Sequence, residues 1–203
     1  VKDKVDIPEP PLHTTEENTM LNERQKEILS EQGLPTEYDK LEWHQQKAII
    51  AIDEMMSYLE EKYEVKFSYI GYIRAGAYEA ETFIGYPSEG DKNLDIVRVT
   101  RGNNGMTDDY IEVVVRPIYN SILNDFINDS FEENAYRVYT TINAVDIEAL
   151  PILPTDINGK VGASNDMFFD AAYITEAAFD EFIRAYEVWM KDNQFFSSNQ
   201  FVL

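Results

Sequence analysis

The 203-residue chain carries 17 basic and 38 acidic side chains, a formal net charge of −21, with 44% apolar residues, 13% aromatic residues and no cysteine. That charge argues against phosphate backbones and anionic headgroups as partners, since like charges repel over a screening length of about 8 Å. The missing cysteine excludes disulfides, thiolate zinc sites and a thiol nucleophile within these residues.

Residues 1–20 predict a linker, because Pro8, Pro10 and Pro11 favour extended polyproline geometry among charged neighbours. A single domain is expected over residues 21–203, a length sufficient to close a substantial core. Its first helix is read over 21–32, with Leu21, Ile28 and Leu29 on one side and Gly33 placed for a left-handed cap. Pro35 forbids continuation, and Thr36 is read as the cap of the next start. Leu41, Ala48, Ile52, Met55 and Leu59 then recur at three- and four-residue steps, which predicts a long helix of about 20 residues spanning ~30 Å.

After Tyr63 the apolar period changes to two. Strands are predicted over 65–74, 78–86, 94–100 and 110–115, and their short connections imply an antiparallel meander. The similar triplets Ile70-Gly71-Tyr72 and Ile84-Gly85-Tyr86 read as neighbouring strands of one hairpin, not as a duplication. Pro117 is expected in the first turn of a helix that runs to about Ser130 with Ile118, Ile122, Leu123, Phe126 and Ile127 on its apolar face. A strand over 136–142 follows, in which Tyr136, Val138, Thr140 and Ile142 alternate with Arg137, Tyr139 and Thr141. Residues 150–162 carry no pattern that assigns an element. One more strand is read over 167–173, and Thr175 caps a last helix with Phe179, Phe182, Ile183, Tyr186, Trp189 and Met190 inward. Residues 195–203 read as an apolar tail that docks.

Candidate chemistry is sparse. His13 and His44 are the two histidines, one in the linker and one near the start of the long helix, so no charge-relay triad is indicated. Arg101-Gly-Asn-Asn-Gly lacks the Gly-Lys-Ser/Thr ending of a phosphate-cradling loop. Acidic neighbours such as Glu60-Glu61, Asp108-Asp109, Glu132-Glu133 and Asp180-Glu181 are expected by chance among 38 acids, and adjacent strand residues point to opposite faces. Asp156, Asn158, Ser164 and Asp166 offer oxygen ligands without the spacing of a calcium loop. The connection 101–109 gathers one cation, two amides and two carboxylates, so Arg101, Asn103, Asn104, Asp108 and Asp109 are the candidate binding residues. Tyr69, Tyr72, Tyr78 and Tyr86 offer a second surface, for sugars or a protein partner.

The run Leu21-Asn-Glu-Arg-Gln-Lys-Glu-Ile-Leu-Ser-Glu-Gln-Gly-Leu-Pro-Thr-Glu-Tyr-Asp-Lys-Leu41, the segment Ala51-Ile-Asp-Glu-Met-Met-Ser-Tyr-Leu-Glu-Glu-Lys-Tyr63 and the triplet Asp108-Asp109-Tyr110 resemble an uncharacterised family of Gram-positive surface lipoproteins, over residues 20–140. The resemblance implies an exported domain tethered through a lipidated cysteine upstream of the linker. It carries over no site residue.

These readings together predict an α+β domain: an antiparallel meander of about five strands packed against two or three helices, with a long N-terminal helix crossing the sheet. The expected role is a non-enzymatic extracellular binding or accessory domain, monomeric, with no catalytic residue, cofactor or metal, reaching the membrane only through its lipid anchor. Its partner would be a protein or a glycan, not nucleic acid. The alternatives are a cytosolic acidic inhibitor or immunity-type protein, and a carboxylate-dependent glycan hydrolase.

Overall fold

A computed structural model describes residues 20–146 and 157–203. The expected linker, apart from Met20, lies outside them, as do His13, Asp156 and part of the unassigned stretch. The described chain holds four α-helices and seven strands and forms two compact units that divide after Tyr58.

The first unit opens with α1 (Glu23–Glu31). Asn22 and Gln25 form a reciprocal capping box, each side chain accepting from the other's backbone N–H at 2.9 Å. The far end closes in a Schellman motif: Gly33, at φ 68°, donates to Ser30, and Leu34 donates to Leu29. A short 3₁₀ turn, Tyr38–Lys40, then leads to α2 (Trp43–Tyr63). Thr36 therefore does not cap the long helix; the chain between them turns once more first. The long helix is also the second helix, not the N-terminal one. Within this unit Asn22 and Gln25 both donate to Asp53 on α2, and Arg24 pairs with the same carboxylate at 3.3 Å.

In the second unit β1 (Phe67–Ile73), β2 (Glu81–Pro87), β3 (Val97–Gly102) and β4 (Gly105–Asp108) form a four-stranded antiparallel sheet in sequence order. Gly71 pairs with Ile84 and Tyr69 with Gly85, so the two similar triplets do lie on adjacent strands. Gly85 is required where it stands. A Cβ there would fall 2.5 Å from the Ser68 carbonyl oxygen and 2.4 Å from the Phe83 ring, closer than van der Waals contact allows. Gly85→Ala is expected to lower stability by about 2 kcal/mol, the scale of overpacking in a closed core, and equilibrium denaturation measures it.

The meander has four strands instead of the expected five, because the strand expected over 136–142 pairs in a separate sheet. The meander's fourth strand is Gly105–Asp108, and residues 110–115, expected as a strand, are helical. They begin α3 (Tyr110–Asn128), and Pro117 sits inside that helix instead of in its first turn. The β-branched run Val113-Val-Val115 favours a strand locally, but packing overrides it: Val115, Tyr119, Leu123 and Ile127 form a strict four-residue stripe, each fully buried. Pro117 removes one backbone bond, to the Val113 carbonyl, and faces solvent.

The remaining strands make a second sheet. β5 (Tyr136–Val145) pairs antiparallel with β6 (Val161–Phe169), and β6 pairs in parallel with β7 (Phe196–Val202) after α4 (Glu176–Asp192). The strand expected over 167–173 thus starts earlier and ends at Phe169, and the expected docking tail is a full sheet strand. Thr175 accepts from Ala178 N–H at 3.3 Å and caps α4 as read. One face of this sheet is buried with α3 and α4 in a continuous core that includes Tyr136, Ile142, Val161, Met167, Phe182 and Tyr186. The opposite face has alternating exposure along all three strands.

Candidate functional site

The five residues read as a binding loop do not assemble into one. Arg101 lies on β3 instead of at the tip and pairs across the sheet with Glu81 at 3.2 Å. Glu81 also accepts from the Tyr72 hydroxyl, whose ionisation is pushed well up by burial and then by that carboxylate. Asp108 is enclosed. It accepts from Lys62 Nζ at 2.7 Å and Tyr63 OH at 2.6 Å, and burial followed by this bond raises the Tyr63 phenol to about 12. Asp109 accepts from the Arg98 N–H at 2.6 Å, and burial raises its carboxyl above the usual range. Only Asn103 and Asn104 stay at an exposed two-residue tip, between the paired Gly102 and Gly105. Three of the five candidates therefore hold β3, β4 and the start of α3 in place.

The expected tyrosine surface is divided as well. Tyr78 is fully exposed in a connection, whereas Tyr69 packs near Phe83 and Tyr72 is engaged with Glu81. Ser164 and Asp166, read as possible cation ligands, stand two residues apart on the same outward side of β6, with Asn165 between them turned inward. Among the described residues no group of three or more histidine, aspartate or glutamate side chains is placed to hold a metal ion, and no helix is long and apolar enough to cross a membrane.

What the fold does assemble is the open face of the second sheet. Cross-strand register aligns Arg137, Phe168 and Val202 in one row, and Tyr139, Asp166 and Gln200 in the next. Thr141, Ser164 and Ser198 make a third row, and Gly162 sits beside Phe196 in the last. Tyr139 is 61% exposed, Phe168 42% and Phe196 73%, and the Tyr139 and Phe168 rings meet edge to face at 6.0 Å. Asn143 is the extra residue of a bulge in β5; its amide donates to Ser164 Oγ at 2.7 Å, and Ser164 and Ser198 hydroxyls bond at 2.9 Å. Bulges at sheet edges re-aim a side chain in this way. The result is a polar ladder across three strands with an aromatic group at each end. An open depression of about 510 Å³ adjoins one end, with Asn143, Gly162, Phe196 and Ser198 among its lining residues.

The chain matches no protein-family model, no curated protein and no solved structure.

The inner side of the same strands is rigidly specified. Asn165, 1% exposed, donates to Tyr119 OH at 2.8 Å and Asn199 Oδ1 at 2.9 Å, and accepts from Thr140 Oγ1 at 2.9 Å. Tyr186 OH donates to Asn199 Oδ1 at 2.8 Å, and Asn199 and Ser197 are within 2.8 Å of each other. Burial raises the ionisation of both Tyr119 and Tyr186, so these phenols stay neutral, Tyr119 accepting from Asn165 and Tyr186 donating to Asn199. This network joins β5, β6, β7, α3 and α4, and fixes the strands that carry the outward residues.

Part of this face is legible in the sequence. Alternation along 136–142 places Arg137, Tyr139 and Thr141 together on one side. Phe168, Ser198 and Phe196 carry no such signal, because β6 begins in an unpatterned stretch and β7 reads Phe-Ser-Ser-Asn-Gln-Phe-Val, with polar residues on both faces.

Proposed function

We propose that the protein is a non-enzymatic binding or accessory domain acting outside a Gram-positive cell, held there through its N-terminal segment, and that it contacts its partner with the open face of the three-stranded sheet. The observation that carries the reading is the face itself: three exposed aromatic rings and a hydrogen-bonded polar ladder on a sheet whose other side is locked by a buried network. Rigid aromatic and amide groups on a preorganised surface bind at small entropic cost. The charge pattern points the same way. Arg137 and Asp166 are the two charged side chains on this face, one of each sign, in a chain of net charge −21. A steering patch for a basic partner would be one-sided. Export and the lipid anchor rest on the family resemblance, and reading the gene upstream of Val1 for a signal sequence and a cysteine tests them.

The contact surface is tested by co-sedimentation with the sedimentable cell envelope of a Gram-positive bacterium. Wild-type protein is expected to sediment with it, and the double substitution Phe168→Arg with Ser198→Arg to reduce the bound fraction at least tenfold while circular dichroism stays unchanged. A variant that binds as well as wild type contradicts the reading.

A further inference from the structure

We infer that the occupant of this face is a neutral, linear glycan; the inference rests on the reading of the open sheet as the contact surface. Size comes first. Three strands about 4.8 Å apart and a nine-residue central strand give a strip roughly 10 Å wide and ~30 Å long, a few hundred Å² of surface. A stable protein interface takes about 800 Å² from each partner, so the strip suits a narrow, extended ligand.

The layout of the groups fits a chain of sugar rings. Phe196 stands next to Gly162, which has no side chain to cover the floor of the depression there. A pyranose seated in it lays its C–H face on the exposed ring and turns its hydroxyls to the Asn143 amide and the Ser198 hydroxyl. Six residues along β6, at about 3.3 Å each, separate Gly162 from Phe168, so the second aromatic group lies ~20 Å away. Between the two stand Thr141, Ser164 and Gln200, side chains that both donate and accept. They match alternating hydroxyl and ring oxygens better than the fixed amide pattern of a peptide, which an open sheet would take at its edge. Charge decides between glycan classes. An anionic polysaccharide meets the field of a −21 chain and one arginine whose guanidinium already donates to the Tyr136 and Glu133 carbonyls. A neutral glycan is indifferent to that field.

The test uses the full chain and the same envelope fraction in two treated forms. Periodate oxidation, which cleaves vicinal diols, is expected to reduce binding at least tenfold, whereas protease digestion leaves it intact and raised salt changes it less than twofold. Affinity electrophoresis through neutral polysaccharides is expected to retard the wild type on at least one of them. Phe196→Ala should weaken that retention about tenfold, with Tyr78→Ala, an exposed ring elsewhere, as the unchanged control. Binding lost to protease and kept after periodate overturns the glycan while leaving the contact face standing. Retention unaffected by Phe196→Ala, or strong only on anionic polysaccharides, overturns the glycan too. Failure of the wild type to bind any envelope form overturns both readings.

Discussion

Replacing Asn165 by leucine is expected to destabilise the protein by roughly 3 kcal/mol or more, although the two side chains are close in size. The Asn165 amide serves Tyr119, Asn199 and Thr140 at once in a site closed to water. Leucine leaves the buried Tyr119 hydroxyl and the half-buried Thr140 and Asn199 groups without it, and each polar group left unsatisfied away from water costs about 1–3 kcal/mol. Urea denaturation measures the loss, and a cycle with Tyr119→Phe separates the network from the cavity: the double variant should be less destabilised than the sum of the two single ones, because removing both partners leaves less unsatisfied. A loss under about 1 kcal/mol in Asn165→Leu would mean that the network is not holding the sheet. The parallel strand β7 is the element most dependent on it, since β7 is joined to β6 by a helical crossover and has no hairpin to hold its register.

Phe182→Ala is the second large effect expected, at about 3–5 kcal/mol, from lost transfer energy and the cavity left behind. The Phe182 ring lies 5.2 Å from both Phe131 and Phe169, 5.7 Å from Phe126 and 6.0 Å from Tyr186. It is the point where α4 meets α3 and the sheet. For a chain of this size the loss corresponds to a drop in Tm of roughly 10 °C, read by calorimetry; a shift of only a degree or two would contradict the described core. Val188→Ala on the same helix, 58% exposed, is the control expected to change little.

Elements with strong local signals are legible in the sequence, and those set by long-range pairing are not. α2 and α4 were legible because their apolar residues recur at helical spacing and, for α4, Thr175 marks the start. The meander is legible as far as β3, where apolar alternation and short connections agree. Residues 110–115 were misread for a physical reason: three valines favour a strand locally, and only the buried stripe running on through Tyr119, Leu123 and Ile127 makes them helical. β7 was missed because its Ser, Asn and Gln residues are polar on both faces, the inward ones being satisfied by the network around Asn165. The candidate site failed on a related point. The connection 101–109 has the composition of a binding loop, but Arg101, Asp108 and Asp109 are spent on Glu81, Lys62, Tyr63 and Arg98. No local pattern tells a charge that serves the fold from one that serves a ligand. The open face, in turn, is built from three strands of which only β5 alternates plainly, so its aromatic ends come together only through the pairing register.

Glycan binding on the open face is tested most sharply by a two-dimensional amide spectrum of the isotopically labelled chain recorded while a soluble neutral polysaccharide that retards it is titrated in. Shifts are expected to be confined to β5, β6 and β7, strongest near Asn143, Ser164, Phe168, Phe196 and Ser198, with little change at the hairpin tip. Shifts centred on Asn103 and Asn104, or on the four-stranded sheet, would contradict it.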